Sequence, residues 1–413
     1  MSCSDIARGN ERVADLQATA IEVGSRLRSA IAGLLDRLAD AGTREQRGIQ
    51  NALNLSQSVA SRLMAAVRVD DPLATLACAP APEGLRKMLR GAERVGLDNA
   101  CLKRMDAAIS DVEALLDREI GGRHELDVLL SEWVHDSRAG FELRHKAAAF
   151  RSMSALRGLQ GRAVVVGAVI HPTADPLVHD AIAIDALIGC RRLRPSAVLY
   201  SLTSFLAPES LHFRLERLDG DPITDMRDLF VPEFSTIPWE SLETRRYDNF
   251  VETSVRDLPL GKDKGVDMVT VQVLRNVHRA VRGDGPPTSG VGGQAEPPVE
   301  NFIVDAILHD DVWPDTKPEL RVYDTVVRGI THPDNPLRQG DRLDMLESVV
   351  YLGHDLRAFR IAEFPRYTDL IEQSCAKLGW DTRRFRGFRC KVRYPVYGCQ
   401  IGLAFPLPER IAE

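Results

Sequence analysis

The pattern of apolar and polar positions divides the chain into a helical first part and a strand-rich second part. From Val13 to Leu38, apolar residues recur every three or four positions, which is the spacing of one helix face. This pattern ends at Ala41-Gly42, where glycine can close a helix. Further helical patterns cover 43–54, 56–68, 83–95, 98–118, 124–136 and 140–159. We therefore predict an all-helical N-terminal module over residues 1–160.

From residue 161 onward the pattern changes to short runs rich in β-branched residues. These runs occupy 163–170, 196–204, 267–274, 302–308, 320–327, 388–394 and 400–405. Such runs predict strands, and their irregular spacing favours a mixed-sheet α+β module over 161–413 rather than a doubly wound sheet. The segment 283–298 has few side chains to bury, so it predicts a surface loop or a linker between two lobes.

Composition narrows the class of protein. The chain of 413 residues is 44% hydrophobic and 27% charged, a balance typical of globular domains. No apolar run approaches the roughly 20 residues of a membrane span, and the N-terminus lacks the features of a secretory signal, so we expect a cytoplasmic protein. The seven cysteines include no CxxC pair, which favours reduced, buried thiols. A net charge of −6 means that any nucleic-acid binding depends on a local basic surface.

Two short helical patterns within 43–68 carry the clearest local signals. Thr43 can cap the first helix, with Gln46 completing a capping box. The chain then turns at Asn54, a residue type that tolerates left-handed backbone, and Ser56 can cap the second helix. The apolar residues expected to lock the two helices together are Ile49, Leu53, Leu55, Ala60 and Leu63.

The stretch LNLSQSVASRL, residues 53–63, resembles the helix-turn-helix family of DNA-binding regulators. The resemblance is confined to about 43–68, and it implies that the second helix enters the major groove of DNA. The residues that it would turn toward bases or phosphates are Gln57, Ser58, Ser61 and Arg62. Ser56 and the neighbouring amides would hold a phosphate. The alternative is a tight helical hairpin inside a bundle.

Local charge agrees with a phosphate-facing surface. Between Arg44 and Arg68 there are four arginines, including Arg47, and one acid, Glu45. The segment 86–104 adds six bases against two acids. Arg44 and Arg47 are therefore further candidates for DNA contacts. Solvent-exposed helix faces are often equally basic, so this composition also fits a surface without a ligand.

Two other patterns suggest chemistry. Four histidines are followed by aspartate, at 135–136, 179–180, 309–310 and 354–355, and such pairs occur in metal-dependent hydrolases, although their spacing here matches no such site. The run 381–398 interleaves bases with aromatics, as a single-stranded nucleic-acid groove does. A strand explains that run more simply. Its inward residues would be Cys390, Val392 and Tyr394, and its outward residues would be Arg389, Lys391 and Arg393.

These patterns together predict a DNA-binding protein, in particular a transcriptional regulator that acts as a homodimer on double-stranded DNA. Its α+β module would sense an unidentified small-molecule effector or mediate self-association. No catalytic residue, metal ligand or cofactor motif is assigned, since GxxxxGK[ST], HExxH and GxSxG are absent. The alternatives are a structural or assembly protein and a metal-dependent hydrolase that uses the His-Asp pairs.

Overall fold

The chain forms two compact units, and the boundary between them along the chain falls within one long helix. A computed structural model describes residues 3–40, 45–200, 204–205, 214–223, 226–237, 239–247, 250–255, 258–261, 265–330, 332 and 334–409. The first unit comprises 1–144 and the second 145–413. The residue pattern predicted a boundary at residue 160, but the boundary between the two units lies earlier in the chain, because the connecting helix contributes residues to both units.

The first unit is helical throughout its described length. Its helices are α1 (Cys3–Asp40), α2 (Gln46–Leu53), α3 (Gln57–Arg68), α4 (Pro72–Cys78), α5 (Pro82–Val95), α6 (Asn99–Ala114) and α7 (Arg123–Trp133), with a π-helical turn at Leu115–Ile120. The connecting helix, α8 (His135–Arg157), begins directly after Val134, five residues before the predicted pattern 140–159. Along α1, Leu27, Ile31, Leu34 and Leu38 are buried, which confirms the amphipathic helix expected from their spacing.

Glycine allows two close helix contacts that fix this unit. A Cβ at Gly91 of α5 would lie 2.4 Å from the carbonyl oxygen of Leu53, the last residue of α2. Likewise, a Cβ at Gly24 of α1 would lie 2.2 Å from the carbonyl oxygen of Pro72. Any larger residue would push these backbones apart. The end of α2 is therefore held against α5.

The second unit is built on a large sheet. Its strands are β1 (Leu159–Pro172), β2 (Val178–Arg192), β3 (Leu199–Tyr200), β4 (Ser204–Phe205), β5 (Arg214–Glu216), β6 (Leu242–Tyr247), β7 (Phe250–Val255), β8 (Val266–Arg279), β9 (Thr288–Gln294), β10 (Val299–His309), β11 (Glu319–Tyr323), β12 (Val350–Gly353), β13 (Phe385–Arg393) and β14 (Gln400–Pro406), with one helix, α9 (Tyr367–Lys377). The large sheet has the order β12-β13-β10-β1-β2-β8-β5. Strands β1 and β10 pair in parallel, whereas the other described neighbours in this order pair antiparallel, so the sheet is mixed and the fold is α+β, as predicted.

Both faces of the large sheet are covered. Leu370 and Ile371 of α9 pack with Ile303 and Ile307 of β10 on one face. On the other face lies the three-stranded sheet β11-β14-β9, whose Ile401 and other inward residues pack with the alternate residues of β10. Burial on both sides explains why β1 and β10 show nearly continuous apolar sequence.

The structure corrects the expectation for 283–298. Thr288–Gln294 forms β9, which pairs with β14, so this segment belongs to the small sheet and is not a linker between lobes. Its glycines permit the close pairing, since a Cβ at Gly292 would lie 2.4 Å from the carbonyl oxygen of Ile401. The composition suggested a loop because glycine contributes no side chain to bury.

Two simpler expectations concern cysteines and membrane spans. The six cysteines from Cys78 to Cys399 are free thiols, and five of them are buried. Within the described ranges, no helix has both the length and the apolar character needed to cross a membrane.

Candidate nucleic-acid interface

The corner between α2 and α3 forms as its sequence predicts. Asn54 adopts left-handed backbone (φ 52°, ψ 55°) directly after Leu53. The amide of Leu55 donates to the carbonyl of Gln50 over 2.9 Å, which closes the end of α2 as in a Schellman motif. Asparagine therefore supplies the left-handed backbone that glycine often supplies after the last residue of a helix.

The beginnings of the two helices differ in how they are capped. Ser56 caps α3, because its hydroxyl accepts a hydrogen bond from the amide of Val59 over 3.4 Å. At α2 the N-cap residue is Glu45, whose side chain makes no capping bond. Thr43, predicted as that cap, lies outside the described residues, as does the candidate contact residue Arg44.

The predicted core of the motif is confirmed. All five residues are buried: Ile49, Leu53, Leu55, Ala60 and Leu63. Four of them, Ile49, Leu53, Leu55 and Leu63, belong to the hydrophobic core cluster of the helical unit, together with Leu27 and Leu34 of α1. Burying this side of α3 leaves the opposite side of the helix toward solvent.

The outward side of α3 is polar and carries no negative charge. Gln57, Ser58 and Ser61 are exposed, and Arg68 is exposed at the end of the helix. Small serine side chains allow the helix backbone to approach a partner closely. From residue 46 to residue 69 the chain contains no Asp or Glu. A polyanion therefore meets no repelling carboxylate on these two helices.

Arg62 occupies a different place from the one predicted. Its side chain is half-buried, and its guanidinium donates to the carbonyls of Ala77 and Cys78 over 3.2 and 3.1 Å. Burial lowers the pKa of Arg62, and Arg123, which donates to the same Ala77 carbonyl, lowers it further. We therefore remove Arg62 from the candidate interface, since it satisfies the end of α4 instead of facing solvent.

Basic side chains of α2 and α5 flank the corner. Arg47 of α2 is exposed. On α5, Arg90 and Arg94 are exposed, and Arg94 donates to the carbonyl of Leu53 over 3.4 Å. Arg86, in contrast, forms an ion pair with Glu113 of α6. The sequence indicated a basic segment but not which of its members lie beside the corner, because that depends on the packing of α5 against α2.

The His-Asp pairs do not form a metal site in the described structure. His179 is buried against Trp313, whereas the neighbouring Asp180 pairs with Arg275 at 2.8 Å. Adjacent strand residues point to opposite faces, which explains the separation. In the ranges that the structure describes, no three His, Cys, Asp or Glu side chains are placed to hold one ion.

The basic and aromatic C-terminal run is part of the large sheet. Cys390 and Val392 of β13 are buried while Lys391 and Arg393 are exposed, as the strand interpretation predicts. Arg389 departs from that interpretation, because both arms of its guanidinium bind the buried carboxylate of Asp305 at 2.7 Å. The run therefore offers no continuous groove of cations and rings.

Comparison with known proteins does not assign the chain to a family. No protein-family model, curated protein or solved structure matches the chain at a significant level.

Proposed function

We propose that the helical unit binds double-stranded DNA, with the outward side of α3 placed in the major groove. The observation that carries the proposal is the exposed, carboxylate-free face of Gln57, Ser58 and Ser61, held by a capped helix and a buried core. Gln57 can pair with the edge of adenine, and the two serines can donate to or accept from bases. Ser56 and the first amides of α3 would bind a phosphate.

Phosphate contacts would come from the cations beside the corner. Arg47 is exposed on α2, and Arg94 is exposed on α5, which contacts the end of α2, so we expect the DNA backbone to meet both cations. Such contacts position the protein on the duplex, whereas the α3 side chains select the sequence. We further propose a transcriptional regulator that acts as a homodimer, because one motif of this size reads only half of a typical site.

The test is a binding titration with the full chain and a pool of duplex DNA fragments at several salt concentrations. We expect binding that weakens steeply between about 50 and 200 mM salt, with the slope reduced by about one unit in Arg47→Ala and in Arg94→Ala. Gln57→Ala should lower affinity for the selected sequence by about 1–3 kcal/mol while leaving the salt slope unchanged.

Arg104→Ala is the matched control, because this exposed arginine of α6 lines a groove with α1 and not the corner. Equal loss of binding in Arg47→Ala and Arg104→Ala would mean that any surface cation suffices, and the interface would then be wrong. A structural or assembly protein would be favoured instead if the chain is not retained on duplex DNA at low salt and if light scattering detects large particles whose size depends on concentration.

A further inference from the structure

A second candidate site lies in the α+β unit, between α9 and the edge of the large sheet. It is a pocket of about 180 Å³ whose walls come from the turn after β5, the segment 228–234 and one side of α9. The segment 228–234 is fixed in place: the Val231 amide donates to the carbonyl of Val269 over 3.0 Å, and the Arg366 guanidinium lies 4.3 Å from the centre of the Phe234 ring. The pocket is therefore preformed.

About half of the lining of this pocket is apolar. Its apolar lining consists of Leu218, Leu229, Phe230, Phe234, Val271 and Leu370. A cavity of about 150 Å³ can hold a benzene molecule, so this one has room for a ligand of about ten non-hydrogen atoms. An apolar lining of this extent favours a ligand with a hydrocarbon or aromatic body.

One buried polar group in the pocket lacks a partner. Ser374 of α9 is 1% exposed, and its hydroxyl makes no hydrogen bond with any described residue. A buried hydroxyl without a partner is unfavourable by about 1–3 kcal/mol, so such a group commonly marks the position of a ligand or water. Ser374 lines the pocket, where a bound molecule would supply that hydrogen bond.

The charges around the pocket indicate the sign of the ligand. Lys377 lies three residues after Ser374, on the same side of α9, and no described carboxylate pairs with it. Three acids also line the pocket: Asp219 pairs with Arg217 at 2.9 Å, Asp228 lies 3.7 Å from the same arginine, and Glu233 is exposed. The donors on α9, Ser374 and Lys377, suit an anion that binds against that helix.

We propose that this pocket binds a small organic carboxylate with an apolar body. The hydroxyl of Ser374 and the ammonium of Lys377 donate to the carboxylate, the amide of Gln373 lies beside them, and the body of the ligand fills the apolar interior. This proposal does not depend on DNA binding, because it is carried by a different unit of the chain and by its own measurement.

The test uses 4-fluorobenzoate, which has the expected size, and follows its binding to the full chain by ¹⁹F nuclear magnetic resonance. We expect saturable binding that 4-fluorobenzamide, the neutral analogue, does not show. Lys377→Met should weaken binding about tenfold or more, because it removes a charge-assisted hydrogen bond. Ser374→Ala should weaken it several-fold, whereas Lys377→Arg should retain most of the affinity.

Lys317→Met is the matched control, since this lysine is exposed in the same unit but does not line the pocket. Thermal unfolding of each variant establishes that the unit remains folded. Absence of binding by the parent up to about 10 mM would overturn the proposal. Equal weakening in Lys377→Met and Lys317→Met, or equal binding of the acid and the amide, would also overturn it.

Discussion

The helical unit and the α+β unit differ in how deeply some of their arginines are buried. Around the α2–α3 corner, Arg47 and Arg94 reach solvent, where they can meet a partner. In the α+β unit, Arg338 is fully buried and Arg386 is 6% exposed. Arg386 donates to the carbonyls of Val312 and Trp313 over 2.9 and 2.7 Å. Basic composition can therefore indicate a nucleic-acid surface only where packing leaves the guanidinium groups exposed.

The difference follows from the backbone geometry of the two units. A helix bonds its own carbonyls, so only those at helix ends need a side-chain donor, and Arg62 supplies one at the end of α4. The α+β unit contains irregular connections such as 309–313, whose buried carbonyls require donors from elsewhere in the chain. Arginine, with five donors, satisfies several of them at once.

The largest expected effect is at the buried ion pair of the α+β unit. Asp305→Ala would leave the guanidinium of Arg389 buried without its carboxylate, so we expect a loss of about 3–5 kcal/mol in the free energy of unfolding, measured by urea denaturation. Glu363→Gln, which breaks the more exposed pair with Lys391, should lose less than about 1 kcal/mol. Similar losses in both variants would mean that burial does not set the contribution of these ion pairs to stability.

The next effect is acid destabilisation of the α+β unit. Burial lowers the pKa of His179 and of His278 to about 4. In the unfolded chain these groups bind protons from about pH 6.5 downward, whereas in the folded chain they do not, so stability falls as pH drops from about 6.5 to 4 and is constant above that window. The expected loss is of the order of 3 kcal/mol per histidine.

Urea midpoints measured between neutral pH and about pH 4.5 report this loss. The variant His278→Asn should show a flatter dependence than the parent, because it has one fewer group to protonate on unfolding. Its asparagine can still bond to Ser289, the present partner of His278 at 2.8 Å. Parallel pH profiles for the two proteins would mean that His278 is not the source of the effect.

A smaller effect separates Arg62 from the other residues of α3. Arg62→Ala removes two hydrogen bonds to the end of α4, so we expect a loss of about 1–3 kcal/mol in the stability of the helical unit. Gln57→Ala changes an exposed side chain and should alter stability by less than about 0.5 kcal/mol. Circular dichroism during urea denaturation distinguishes them, and an unchanged midpoint in Arg62→Ala would restore that arginine to the interface.

The local features of the motif could be predicted because neighbouring residues form them. Asn54, Ser56 and the apolar spacing of α3 each act within a few positions of the chain. The strand β2 was missed because its short polar interruptions at Asp180 and Asp185 obscure an apolar run. The pairing of β9 was missed because it depends on β14, more than a hundred residues later.

The two candidate sites, too, could be predicted only in part from the sequence. The sequence identified the exposed residues of α3, but the position of Arg94 beside the corner required the contact between Gly91 and Leu53. Nothing in the sequence around Ser374 or Lys377 distinguishes them from other helix residues. Their proximity to Phe230 and Val271 arises only when α9 packs on the sheet.

The sequence by itself determined the helical and strand-rich halves of the chain, the α2–α3 corner and its capped second helix, because periodicity and capping are short-range properties of the backbone. Tertiary structure decided which arginines are free, which carboxylates are paired and where a pocket opens. Those outcomes depend on desolvation and on contacts between distant segments, whose energies belong to the packed chain and not to any one stretch of it.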